Sequence, residues 1–128
     1  MRAGKARYIG ASSMYAWQFM KMLATSRANG WARFVSMQNH LNLIYREEER
    51  EMLPLCQDQS IGVIPWSPLA RGLLTGKFQS DSTIHPNDVR RDWDFKAGLQ
   101  AQRLQELAAL EPVLTRDGRT LAQAALGW

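Results

Sequence analysis

One cysteine is all the sequence contains, so no disulfide can close within the chain. Cys56 stands in a charged, helix-like segment with no neighbour at metal-ligand spacing, which points to a buried, unreactive thiol. Histidine is nearly as scarce. His40 and His85 are far apart and share no ligand spacing with Cys56, so no metal centre is expected. No apolar run is long enough for a signal peptide or a membrane helix, and the expected location is the cytoplasm, away from any membrane. Charge of one sign is also lacking: 16 basic against 12 acidic residues leave a net +4, scattered along the chain. Without a basic stripe interleaved with aromatics, nucleic acid is not an expected partner, although a phosphate-bearing ligand fits. The familiar phosphate loops are missing too. Gly72 and Gly76 lie too close for a Walker A loop and Phe78, not Ser or Thr, follows Lys77, while no strand is followed by G-x-G-x-x-G.

What is present is a globular composition, 45% apolar and 22% charged, and a regular alternation of elements. Residues 7–11 read as a short strand, and Ser13 as the N-cap of a helix carrying Trp17, Met20 and Ala24 on one side until Asn29-Gly30 stops it. Residues 34–39 form a second strand. Glu47, Glu48 and Glu49 load the start of a second helix, where the macrodipole favours negative charge, and Pro54 is expected to kink it. Residues 60–66 give a third strand, apolar in the way of parallel strands buried on both faces. A glycine-bearing loop, a polar stretch over 79–94, a helix over 97–110 and an Asp117-Gly118 turn follow. Thr120 then caps a last helix whose Leu121, Ala124, Ala125 and Trp128 share one buried face.

Strand–helix alternation implies right-handed parallel units and an α/β fold, either a doubly wound sheet or a closed barrel. Three parallel strands leave two open sheet edges, so residues 1–128 are expected to be one partial domain, able to associate through those edges.

Three segments carry a resemblance. They are Gly4-Lys5-Ala6-Arg7-Tyr8-Ile9-Gly10-Ala11-Ser12-Ser13, Met37-Gln38-Asn39-His40-Leu41-Asn42-Leu43, and Ile64-Pro65-Trp66-Ser67-Pro68-Leu69-Ala70-Arg71-Gly72-Leu73-Leu74-Thr75-Gly76-Lys77-Phe78. In this order the chain resembles the aldo-keto reductase family, in the branch of aryl-alcohol dehydrogenase-like enzymes and potassium-channel beta subunits. The resemblance implies a partial (β/α)8 barrel holding strands five to seven, from a fold that takes roughly 250 residues. Strands one to four and strand eight would be absent, leaving the C-terminal half.

By the same resemblance the chain would bind NADP(H). Trp66 would stack on the nicotinamide, and Gln38, with Ser12 and Ser13, would hold its carboxamide. Ser67, Leu69, Arg71, Gly72 and Lys77 would wrap the pyrophosphate and ribose with backbone amides, a hydroxyl and two cations, with Arg90 or Arg91 as a further arginine. As surface charges Arg71 and Lys77 are ordinary; their place after a barrel strand singles them out. The family's catalytic aspartate, tyrosine, lysine and histidine have no counterpart here, since Tyr8, Tyr15, Tyr45, His40 and His85 do not match them. A truncated reductase that lacks catalysis is thus the expectation. Its alternatives are one piece of a two-piece reductase, which would take a carbonyl substrate only once the barrel is complete, and a nucleotide-sensing or interaction module.

Overall fold

The computed structural model describes Met1, residues 3–76 and residues 99–128, with side chains in the last stretch from 105 onward. The chain divides into two compact units, residues 1–41 with 45–66, and residues 42–44 with 67–128.

In the first unit, β1 (Ile9–Ser12), β2 (Phe34–His40) and β3 (Gly62–Trp66) form a parallel sheet in the order β1-β2-β3. Helix α1 (Ala16–Ala28) links the first two strands, and α2 (Met52–Asp58), preceded by a 3-10 turn at Glu47–Glu49, links the second and third. Ala11, Met37 and Val63 stand side by side in register and pack with the helices, around a core of Phe19, Leu23, Met37, Met52, Cys56 and Ile61. Phe19 and Phe34 meet edge to face at 5.7 Å. The next register row, Ser12, Gln38 and Ile64, points to the opposite face, because side chains alternate along a strand.

That opposite face is open. Ile64 is 53% exposed, so the expectation that β3 is buried on both faces fails: helices cover one side only among the described residues. Ile9 pairs with Phe34 but Gly10 pairs with Ser36, so Val35 is a bulged residue without an opposite number.

Three local expectations are also corrected. The N-cap of α1 is Tyr15, whose amide donates to Gln18 Oε1, and not Ser13, whose amide instead donates to the Gln38 carbonyl at 3.0 Å. The buried stripe of α1 is Phe19, Leu23 and Ser26, while Trp17 and Met20 are exposed. Both stripes have helical spacing, and the sheet takes the one carrying phenylalanine and leucine. Pro54 does not kink a helix: α2 starts at Met52, which places the proline in the first turn, where its missing N–H would have no helical acceptor.

In the second unit a loop with a 3-10 segment (Ala70–Thr75) is followed by α3 (Leu99–Leu114) and α4 (Leu121–Gly127). Their core gathers Leu73, Leu74, Leu107, Leu121 and Ala125, with Leu43, Ile44 and Leu69 packed against it. Thr120 caps α4 as expected. Its hydroxyl accepts from the Gln123 amide, and the Gln123 side chain accepts from the Thr120 amide in return. Leu121, Ala124 and Ala125 are buried, but Trp128, at the C-cap, is 51% exposed.

Candidate functional site

Parallel strands deliver their last residues to one end of the sheet, the end where barrel and open α/β sheets carry their ligands. Here β1 brings Ser12, β2 brings Gln38 and β3 brings Trp66 to that end. A chain of hydrogen bonds joins them. The Trp66 Nε1–H donates to Ser13 Oγ at 3.1 Å, and the Ser13 hydroxyl lies 3.5 Å from the Gln38 carbonyl, to which it donates. The Ser12 hydroxyl donates to the same carbonyl at 3.2 Å. The backbone of Gln38 is thus fixed from the end of β1 while its side chain stays exposed.

Aromatic rings complete this corner. His40 is the register partner of Trp66 and stacks on it with ring centroids 4.1 Å apart and planes 13° from parallel. Tyr45 covers the other side of His40 at 4.1 Å and 21°. Sequence reasoning set both His40 and Tyr45 aside because neither matches a catalytic residue. For His40 the available signal was the register with Trp66, since neighbours on adjacent strands stand about 4.8 Å apart on the same face; Tyr45 lies beyond the strand and had no such signal.

On the helix side of β2, Asn39 is fully buried; its Nδ2 donates to Glu48 at 3.0 Å and its Oδ1 has no partner in the structure. Cys56 is buried as expected, and burial, seconded by the charge of Glu48, pushes its thiol up from the ordinary range, away from nucleophilic thiolate. Arg46 is held in its charged form by hydrogen bonding to Glu49 at 2.9 Å. Among the described residues no group of His, Cys, Asp and Glu is placed to hold a metal ion, and no helix is long and apolar enough to cross a membrane.

In the second unit the loop after Trp66 holds Ser67, Leu69, Arg71 and Gly72 in an unusual backbone. Ser67, Ala70 and Arg71 have φ of 56°, 47° and 55°, and Gly72 follows at 101°. Three successive left-handed residues, two of them not glycine, store backbone strain of the sort found at ligand sites. Buried Asn42 anchors the start of the loop: its Nδ2 donates to the Ser67 carbonyl at 3.0 Å and its Oδ1 accepts from the Ile44 amide. Sequence reasoning gave Asn42 no role.

The amides of Ala70, Gly72, Leu74 and Gly76 donate to carbonyls inside the loop. Those four are therefore occupied in this structure, and the part of Gly72 here is conformational, at a buried position with left-handed φ. The Arg71 side chain is exposed. Lys77, Arg90 and Arg91 lie outside the described residues.

With the geometry in place, comparison with known proteins assigns the class. The model of the aldo/keto reductase family matches residues 1–128, and the chain belongs to that family. Versiconal hemiacetal acetate reductase of Aspergillus parasiticus is 43% identical over 132 residues, which cover 100% of this chain and 38% of that protein. A Schizosaccharomyces pombe protein described as a candidate aryl-alcohol dehydrogenase is 50% identical over 113 residues, 84% of this chain and 32% of its own length. Among solved structures, the glycerol dehydrogenase of Gluconobacter oxydans superposes with a TM-score of 0.75 at 28% identity, covering 99% of this chain and 37% of that one. The parallel sheet with its helices is part of a (β/α)8 barrel. This chain spans about a third of the length of the relatives it matches.

Proposed function

We propose that this chain is the C-terminal half of an NADP(H)-dependent aldo-keto reductase, with β1, β2 and β3 as barrel strands five, six and seven. In this reading residues 1–128 are one partial domain of a cytoplasmic enzyme. The observation that carries it is the corner where Trp66, Gln38, Ser12 and Ser13 meet at the carboxyl ends of three parallel strands.

A nicotinamide fits the residues present there. Trp66 is 38% exposed and has its indole N–H committed to Ser13, so a flat ligand ring can lie on the indole face that His40 leaves free. Gln38 is exposed on the same sheet face and can both donate to and accept from a carboxamide. Ser12 can accept one further hydrogen bond while its own proton is engaged by the Gln38 carbonyl. When bound, the reduced nicotinamide supplies hydride to a carbonyl carbon. The chain's part is to bind and orient: Trp66 sets the plane of the ring, and Gln38 selects which face turns toward substrate. By the family resemblance, Ser67, Leu69, Arg71, Gly72 and Lys77 are the residues expected to bind the pyrophosphate and ribose.

By the resemblance, none of Tyr8, Tyr15, Tyr45, His40 and His85 matches the family's proton donor to the developing alkoxide. The family's aspartate, tyrosine, lysine and histidine would come from the part of the barrel that this sequence does not match. Loss of a general acid alone costs on the order of 10²–10⁴ in rate, so the isolated chain is expected to show negligible carbonyl reduction.

A second reading follows from the open sheet face, where Ile64 is 53% exposed. A separate polypeptide carrying the first four strands would cover it and make a two-piece reductase. One set of measurements serves both readings. NADPH should quench the tryptophan fluorescence of the purified chain, and Trp66→Ala should abolish most of that response. NADPH oxidation with an aromatic aldehyde should be absent for the chain alone and appear when the complementary part of a related reductase is co-expressed. Turnover by the isolated chain would contradict the division of labour proposed here.

A further inference from the structure

The cradle described above assigns one face of Trp66 to a ligand, and the other face is where the structure is more specific. His40 and Trp66 are register partners at the ends of β2 and β3, and their rings are 4.1 Å apart and nearly parallel. Tyr45 stacks on the far side of His40 at 4.1 Å, giving a three-ring column within one compact unit. The indole is therefore held twice. Its Nε1–H to Ser13 Oγ bond, 3.1 Å long, fixes rotation in the plane of the ring. The stack fixes the tilt of that plane and occupies one face.

We propose that His40, backed by Tyr45, is a positioning residue for cofactor binding: it covers the rear face of Trp66 and locks the indole plane, so that a nicotinamide ring can stack only on the remaining face. This rests on the cofactor reading above. It deepens that reading by assigning a role to two residues that contact no ligand themselves. The physical requirement is a flat ring behind the indole. A planar group at stacking distance resists tilting along its whole area, whereas an aliphatic side chain of similar volume touches at a few points and leaves the indole free to rock. Ordering the indole before the ligand arrives removes that part of the entropy loss on binding.

The test uses the full chain with NADPH as probe, and compares His40→Phe, which keeps a planar ring, with His40→Leu and His40→Ala, which do not. Fluorescence quenching by NADPH reports binding, and the near-UV circular dichroism of Trp66, isolated by subtraction of Trp66→Phe, reports the order of the indole. Far-UV circular dichroism checks folding; should His40→Ala fail to fold, His40→Leu carries the comparison. His40→Leu and His40→Ala should lose the Trp66 band and weaken NADPH binding roughly 2- to 10-fold, the range a lost stacking contact gives. His40→Phe should retain the band and bind within about twofold of the parent. A purely structural role predicts no such separation between Phe and Leu. If Leu and Phe behave alike, the proposal is overturned. Absence of any NADPH response in the parent overturns the cofactor reading together with this role, and a Trp66 band unchanged in His40→Leu overturns the stack itself.

Discussion

Asn42 illustrates how much a single buried amide can organise. It is 3% exposed, and its two side-chain ends join the Ser67 carbonyl to the Ile44 amide, fixing the start of the strained loop. Asn42→Ala would leave a carbonyl and an amide without this partner in a buried setting, a loss of about 1–3 kcal/mol. Urea denaturation should read that loss in the midpoint, with the slope unchanged. Asn42→Asp should be nearly as damaging, because the carboxylate keeps the acceptor toward Ile44 but cannot donate to Ser67. Residues of this kind are hard to read from sequence. Asn42 stands in the same matched segment as Gln38, but only the folded loop reveals which backbone groups it serves.

At the scale of the element, the contact between β1 and β2 depends on Gly10. A methyl group there would stand 2.4 Å from Ser36 Oγ, closer than a Cβ approaches another heavy atom, and a tight 3.2 Å from the Ser36 carbonyl. Overpacking of this sort costs about 1–3 kcal/mol. Gly10→Ala should therefore lower the thermal midpoint, and adding Ser36→Ala should recover much of the loss, because the nearest atom is then gone; equal damage in the single and double variants would locate the strain elsewhere. The strands and the last helix were legible in the sequence because β-branched and apolar runs ended in clear stop signals, as at Asn29-Gly30 and Thr120. The face of α1 was not. Trp17 and Met20 compete with Phe19 and Leu23 at the same spacing, and the choice is made by what the sheet presents. Likewise Pro54 reads as a kink only if the helix begins at the glutamates; with α2 starting at Met52 it is an ordinary first-turn residue.

At the scale of the molecule, each compact unit has its own apolar core, and the sheet of the first is covered on one face only among the described residues. The open face includes Ile64 and Trp66, two positions apart on β3 and thus on the same side. Ile64→Gln should change the stability of the isolated chain by no more than about 0.5 kcal/mol, as for other exposed positions. The same change inside a closed barrel would bury an unpartnered amide, so the contrast measures whether the face is covered. Family and partial-barrel architecture were legible from Gln38, Trp66 and the loop that follows. The hydrogen-bonded tie of Trp66 to Ser13 and the column of Tyr45, His40 and Trp66 were not, since Trp66 is distant in sequence from both Ser13 and His40, and Ser13 and Tyr45 lie just beyond the paired strands.

Alternation along β2 has an evolutionary consequence. Gln38 and His40 turn to the open face, while Met37 and Asn39, one step away, are sealed in the core with the helices. Point substitutions at the first pair act on the open face and leave the core beneath the helices in place, whereas inserting or deleting one residue would exchange the two sets. Such a strand is brittle to changes in length, because a shift of one residue would seal the ligand-facing side chains in the core and expose the core ones.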